Sequence, residues 1–416
     1  KGTRWADSQP AKRAAHLVTP APVHAFPPLP AHNLPRQLTP FFGRSLEMGS
    51  ICAKLQQADC AWLTLTGVGG VGKTRLALKV GETLLPSFRD GVWFVSLLDI
   101  IPGETLAEQL VTAIGKALQI SFTGAESLTP QLFTHLREKQ LLLILDNFEH
   151  LTSTVNFTAN PTAKPTRNND IWPDQPARNP AADCVHTLLQ ETQQVKVLIT
   201  SRHCLNYQAE HLFTIDGLPL PEPGEIEAWA ARAPKLDHLL HYDSIALFVQ
   251  RAAHSIAHFA LNEENASAIM QICRLVEGLP LGIELAATLV RRYSCDQIAT
   301  RLTEHYTILT TTFHDLPIRH RSIEATLAYS WQLLSAVDRL TFAQCAIFPD
   351  SFTLAAAAEI TGATAAQLQH LEGQMLLQQV APKRYTMHRL MRQYALQQLQ
   401  KMPTVEQHVR KRHCLY

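Results

Sequence analysis

Between Trp62 and Leu78 the chain reads as a short apolar strand, a glycine-rich turn and the opening of a helix. The turn, Gly67-Val68-Gly69-Gly70-Val71-Gly72-Lys73-Thr74, fits the pattern G-x-x-x-x-G-K-[ST] at every fixed position. Glycines let successive backbone N–H groups turn inward around a phosphate, and the helix N-terminus adds a partial positive charge. Lys73 is placed to reach the β- and γ-phosphates, and the Thr74 hydroxyl to ligate Mg²⁺. Arg75 follows on the helix and completes the nucleotide-binding set of the loop. A plain glycine-rich turn with a surface lysine would leave the ordered strand, loop and helix unexplained. The stretch implies a chain that binds a nucleoside triphosphate or its diphosphate, with Mg²⁺ at Thr74.

The rest of the chain must supply a sheet for that loop, and 416 residues suffice for several cores. Hydrophobic residues make up 46% and charged residues 18%, as in an ordinary globular protein. A net charge of +1 gives no global argument for nucleic acid or an anionic membrane. Eight cysteines are scattered without a C-x-x-C pair, which favours neither a zinc site nor a disulfide framework and suits a reducing cytoplasm. No apolar run approaches the ~20 residues of a membrane helix. The chain opens at Lys1 without a methionine or signal-peptide pattern, so a fragment of a longer protein is expected.

Residues 1–38, rich in proline and alanine, are expected to be a semi-extended linker. Leu38 to Arg44 leads into a helix near Ser45 to Gln57, with Ser45 as its N-cap. After the loop come apolar runs of strand length at Gly91–Leu97, Gln140–Asp146 and Val195–Arg202, with a short fifth strand at Glu210–Asp216. Helical spacing lies between them at Leu106–Leu118 and Leu128–Arg137. Unbroken aliphatic strands alternating with helices predict an α/β fold, a doubly wound parallel sheet over residues 39–218. Residues 152–183, rich in Asn, Pro and Thr, read as an exposed insertion. Beyond Pro223 the strand runs stop, and 219–315 reads as a helical domain. Residues 316–400 show helices, a hairpin at Val380–Met387 and a last helix from Met387, consistent with a winged-helix domain. A tail, or the start of a further domain, occupies 401–416.

Asp146 ends an aliphatic strand 73 residues after Lys73, where P-loop proteins place a Mg²⁺-holding carboxylate. Asn147 follows it, and an amide cannot accept the proton of an attacking water, so hydrolysis should be slow. Glu149 is the nearest substitute. Arg202 lies just past its strand, where the carboxyl ends of a parallel sheet line the ligand crevice, within reach of a γ-phosphate.

These residues carry a resemblance. Phe42-Gly43-Arg44, Gly67 to Thr74, Leu143 to Leu151, Thr200-Ser201-Arg202 and Gly278-Leu279-Pro280-Leu281 stand in the order found in STAND-class signal-transduction ATPases of the NB-ARC type. Tyr385-Thr386-Met387-His388-Arg389 is similar to that family's Met-His-Asp motif, with Arg389 in place of the Asp. The resemblance implies that Phe42, Gly43 and Arg44 pack near the adenine and that Pro280 closes the base pocket. It implies that His388 bonds the β-phosphate of ADP and locks a closed state. It also implies a switch that opens and self-associates on ATP exchange, a winged helix acting as a lid and not touching DNA, and flanking effector or DNA-binding and sensor domains. An anti-phage or cell-death sensor, and an AAA-type motor, are the alternatives.

Overall fold

The computed structural model describes residues 30–101, 103, 105–124, 127–152, 179–222, 224, 236–313 and 316–416. Most of the expected Pro-rich linker and of the 152–183 insertion lies outside the described residues.

The first unit is built on five parallel strands: β1 (Trp62–Thr66), β2 (Val92–Ser96), β3 (Leu142–Asp146), β4 (Lys196–Thr200) and β5 (Glu210–Thr214), in the order β2-β3-β4-β1-β5. Every residue of β1 and β3 is buried, and in β3 this shows as an aliphatic run without alternation, Leu142 to Leu145. Successive side chains still point to opposite faces. Leu63, Leu65, Leu142, Ile144 and Leu198 join one core, whereas Trp62, Leu143, Leu145, Val197 and Ile199 join another. The first core is covered by α1 (Ser45–Gln56) and α2 (Lys73–Leu84). The second is covered by α3 (Leu106–Ala117), α4 (Leu128–Leu136) and, beyond the short α5 (Glu149–Thr152), α6 (Pro180–Glu191). Helix α6 begins inside the stretch read as insertion, capped by Asn179, whose side chain accepts from Ala181 N and Ala182 N. Ser45 is the first helical residue of α1 and not its cap. That position belongs to Arg44, at φ 61°, whose guanidinium donates to Val71 O and Asp216 O.

After the short α7 (Leu236–Leu239) comes a four-helix unit of α8 (Asp243–Ser255), α9 (Glu263–Leu275), α10 (Pro280–Thr288) and α11 (Cys295–Glu304). Capping boxes at Asn262/Asn265 and Ser294/Gln297 start α9 and α11, and Pro280 starts α10, where a missing N–H costs nothing. Helix α8 packs along α10, and α9 along α11.

The last unit contains α12 (Ile323–Gln332), α13 (Ala336–Cys345), β6 (Phe352–Thr353), α14 (Leu354–Thr361), α15 (Ala365–Gly373), the hairpin β7 (Gln378–Ala381) and β8 (Arg384–Thr386), then α16 (Arg389–Gln400) and α17 (Pro403–Leu415). Strand β8 is central in a small antiparallel sheet, β6-β8-β7. Two elements escape sequence reading here. Strand β6 is two residues long, and α17 packs Val409 into the core from a stretch with little apolar spacing. The last expected helix starts at Arg389 and not Met387, because His388 occupies its N-cap. One apolar cluster runs continuously from a face of the parallel sheet through the helical unit into this last unit.

The first two units meet backbone to backbone. Leu218 N donates to Gly278 O at 2.8 Å, and Gly278 has φ 67°, so an added Cβ would come within 2.3 Å of Leu218 O. Gly278→Ala should therefore destabilise the chain by about 2–4 kcal/mol, combining the left-handed backbone cost with the clash. Gly49→Ala, in open space inside α1, should be neutral or stabilising by up to about 1 kcal/mol. Urea midpoints at constant slope report both, and equal midpoints for the two variants would show that the junction tolerates a side chain.

Candidate functional site

Strand β1 ends at Thr66, and the chain then turns through Gly67 (φ 150°), Gly70 (φ 85°) and Gly72 (φ 95°) before α2 begins. A Cβ at Gly72 would meet nothing, so glycine is required there for its backbone angle alone. Lys73 Nζ folds over the loop and donates to Gly67 O (2.7 Å) and Val68 O (3.2 Å). Thr74 Oγ1 donates to Asp146 Oδ1 at 2.6 Å, and Thr200 Oγ1 donates to the same oxygen at 2.6 Å. Thr200 Oγ1 in turn accepts from Asn147 N at 2.9 Å. Asp146 is only 4% exposed; burial raises its pKa, and the two threonine bonds oppose the shift.

Next to this group lies a second one. Arg202 (9% exposed) donates from Nε to Glu149 Oε1 at 3.3 Å, and Glu149 is 3% exposed. The Arg202 Nη1 donates to Ser330 Oγ of α12, and the guanidinium stacks on the Tyr329 ring at 4.9 Å. Arg319 lies 5.8 Å from the centre of the same ring and donates from Nη2 to Asn147 Oδ1 at 3.4 Å. The Tyr329 hydroxyl reaches His150 Nδ1 at 3.3 Å. His320 is held neutral, its pKa lowered to about 4 by burial and then by Arg319, Arg202 and Lys73.

A cavity of about 470 Å³ opens where the three units converge. Gly69, Gly70, Gly72, Lys73, Thr74 and Arg75 form its phosphate-loop wall. Glu149, Arg202 and Pro280 also line it. Gly67, Val68 and Val71 shape the loop from behind, the first two by accepting from Lys73 and Val71 by its burial. Asp146 stands behind Thr74.

Two expected groups are placed otherwise. Phe42, Gly43 and Arg44 do not line the cavity. Gly43 is pressed against Asp243, and Arg44 spends its charge on Val71 O (3.0 Å) and Asp216 O (2.8 Å), bracing the loop from outside. His388 does not line it either. Its Nε2 lies 3.5 Å from Glu277 Oε2, and its Nδ1 accepts from Leu390 N at 3.2 Å. Burial lowers its pKa against the pull of Glu277. The residues that sequence reading missed are Thr200 as a positioning group, and Arg319, His320, Thr326, Tyr329 and Ser330 from the last unit. Arg319-His320-Arg321 directly before the capping Ser322 was the one available signal. A larger hollow of about 730 Å³ beside β2 and α3 shares no lining residue with this site.

The donor set fits a magnesium nucleotide. Among the described residues no group of three or more His, Cys, Asp or Glu is placed to hold a metal. Mg²⁺ instead takes one or two protein oxygens and completes its shell with phosphates and water. Thr74 Oγ1 and Asp146 Oδ1, side by side beneath the loop, would be those oxygens.

Lys73 has its pKa lowered from 10.5 to about 8, chiefly by burial and further by Arg202 and Arg319, with Glu149 and Asp146 opposing. A phosphate beside it restores the charged form, so binding takes up a proton wherever the free lysine is neutral. ADP affinity should fall as pH rises above about 8, by up to about tenfold per unit, and Lys73→Arg should flatten the dependence. Without ligand the sign is reversed: the fold gains stability between about 8 and 10.5, because the unfolded lysine binds the proton more readily. Calorimetric affinities from pH 7 to 9.5 check the first statement, and a flat wild-type profile would refute it.

Residues 44–153 match the family model of the NB-ARC domain. An uncharacterized protein of Mycobacterium tuberculosis is 26% identical over 323 residues, 78% of this chain and 69% of the relative. A protein named as an HTH-type transcriptional regulator of the same organism is 29% identical over 71% of this chain, which spans 27% of that protein. Regulatory protein AfsR of Streptomyces coelicolor is 24% identical over 87% of this chain and 32% of its own length. Among solved structures, a STAND protein with a tetratricopeptide repeat sensor from Pyrococcus horikoshii is similar at 14% identity and TM-score 0.34, covering 87% of this chain and 43% of that one. No helix among the described residues is long and apolar enough to cross a membrane. Residues 44–153, which carry the phosphate loop and Asp146, are thus matched as an NB-ARC domain within a chain built on a P-loop nucleotide-binding fold.

Proposed function

We propose that this chain is the ATP/ADP switch of a larger signalling regulator, closed on ADP and opened for self-association by exchange for ATP. The observation that carries this reading is the clasp on Arg202. The residue best placed to reach a γ-phosphate is bonded to Ser330 and stacked on Tyr329, both on α12 of the last unit. A γ-phosphate would compete for that guanidinium through charge-assisted bonds stronger than a neutral hydroxyl can offer. Drawing Arg202 toward the phosphate breaks its bond to Ser330 and loosens the last unit, which we read as a winged-helix lid. His388 supports the closed form at one remove. With Arg389 N, which donates to Glu277 Oε1 at 2.8 Å, it grips the turn that ends in Pro280.

Hydrolysis is slow in this reading. Asn147 has no base to offer and bonds Asp146, while Glu149 is engaged by Arg202. The relatives named as regulators support a setting in transcription control, with the effector and sensor segments supplied outside the matched span.

A charged hydrogen bond contributes about 1.5–3 kcal/mol and a stacked guanidinium about 0.5–2 kcal/mol, which move a closed–open balance by about 10- to 150-fold and about 2- to 30-fold respectively. Ser330→Ala and Tyr329→Ala should each retain less ADP on purification and associate more readily with ATP, whereas Lys73→Ala should bind neither nucleotide. Bound-nucleotide content by chromatography and mass by light scattering provide the readouts. Wild-type ADP content and a monomeric mass for both α12 variants would remove the clasp from the mechanism. Unchanged nucleotide binding in Lys73→Ala would remove the switch itself.

A further inference from the structure

Helix α10 begins against the phosphate loop, where Leu281 N donates to Gly70 O at 3.2 Å. Pro280, Glu284 and Thr288 then follow one another along one face, and all three line the cavity. At 1.5 Å per residue, Glu284 stands about 4.5 Å beyond Leu281 and Thr288 about 10 Å beyond it. Along this face the cavity continues past the phosphate loop.

The Glu284 carboxylate is used on one side only. Oε1 accepts from Arg75 Nη1 (3.3 Å) and from Arg251 Nε (3.2 Å) and Nη2 (2.8 Å). Among the described residues Oε2 has no hydrogen bond. Arg75 is itself fixed, with Nη2 donating to Thr39 O (3.0 Å), Thr39 Oγ1 (3.0 Å) and Pro40 O (2.7 Å). Its Nε is buried and has no partner. An open acceptor and an orphaned donor thus sit on two bonded side chains in the wall of the cavity, beyond the phosphate end.

We infer that Glu284 is the base-reading residue: its Oε2 accepts the exocyclic amine of adenine, and Arg75 Nε donates to a ring nitrogen beside that amine. The inference rests on the nucleotide reading above and adds the source of its base selectivity. An ionised carboxylate only accepts, so a base without an amine at that place leaves Oε2 buried and unpaired. Arg75 and Arg251 are positioning residues. They hold the carboxylate in place.

The test compares ADP with purine riboside 5′-diphosphate, which has the same ring system and lacks the amine, by titration calorimetry on the full chain. Wild type should prefer ADP by about 10- to 100-fold. Glu284→Ala should weaken ADP and bring the two ligands within about twofold of each other. Glu284→Gln keeps an acceptor oxygen without its charge and should retain a reduced preference. Arg251→Met, which removes one of the two cations that hold the carboxylate, should lower the preference by less than Glu284→Ala does. Should the alanine variant fail to fold, the glutamine variant carries the test through its reduced ratio. Equal binding of both ligands by wild type, an undiminished preference in the Glu284 variants, or GDP bound as tightly as ADP would overturn the assignment while leaving the switch standing. Failure of wild type to bind any of the three diphosphates would instead sink the nucleotide reading.

Discussion

Two threonine hydroxyls on one buried carboxylate oxygen hold the site together. Asp146 ends β3, Thr200 ends β4, and Thr74 opens α2. The register places Leu145 opposite Ile199, so the next residues, Asp146 and Thr200, stand side by side at the carboxyl edge of the sheet. A carboxylate so buried is costly without bonds, and here a helix start and a neighbouring strand supply them. A slip of one residue in either strand would send Asp146 or Thr200 to the opposite face and separate them. The phosphate loop is therefore aligned by the sheet's register as much as by its own glycines.

The site's electrostatics explain how a small ligand can bind three units together. Lys73, Arg202 and Arg319 converge on the phosphate end, with Asp146 and Glu149 as the nearby acids. Their mutual repulsion helps depress the Lys73 pKa, and Arg319 reaches the site only because the last unit is docked. In the proposed closed state a diphosphate supplies the missing negative charge, so ADP and the docked α12 favour each other. Linkage makes that coupling reciprocal: whatever loosens the last unit also weakens the hold on ADP.

Packing ties the three units closely together. One apolar cluster crosses all three units, and the junction between the first two is a backbone contact at Gly278 with no room for a side chain. A junction that tight favours discrete positions over graded sliding. In the proposed switch, Arg202, held by the Ser330 hydroxyl and the Tyr329 ring, is the group that chooses between such positions.

The sequence by itself determined what is local. Strand and helix periodicities placed the parallel sheet, the spacing from Gly67 to Thr74 placed the loop, and strand ends picked out Asp146 and Arg202. Each depends on residues within one element, where backbone geometry repeats every two or 3.6 positions. Tertiary structure alone decided the rest. It decided that Arg44 braces the loop from outside, that His388 meets Glu277, and that Glu284 is shared by Arg75 and Arg251. It also brought Ser330 to Arg202 across 128 residues of chain and Arg319 to Asn147 across 172. No periodicity encodes such meetings. They follow from how separately folded faces bury one another, and a long side chain chooses its partner only after those faces have docked.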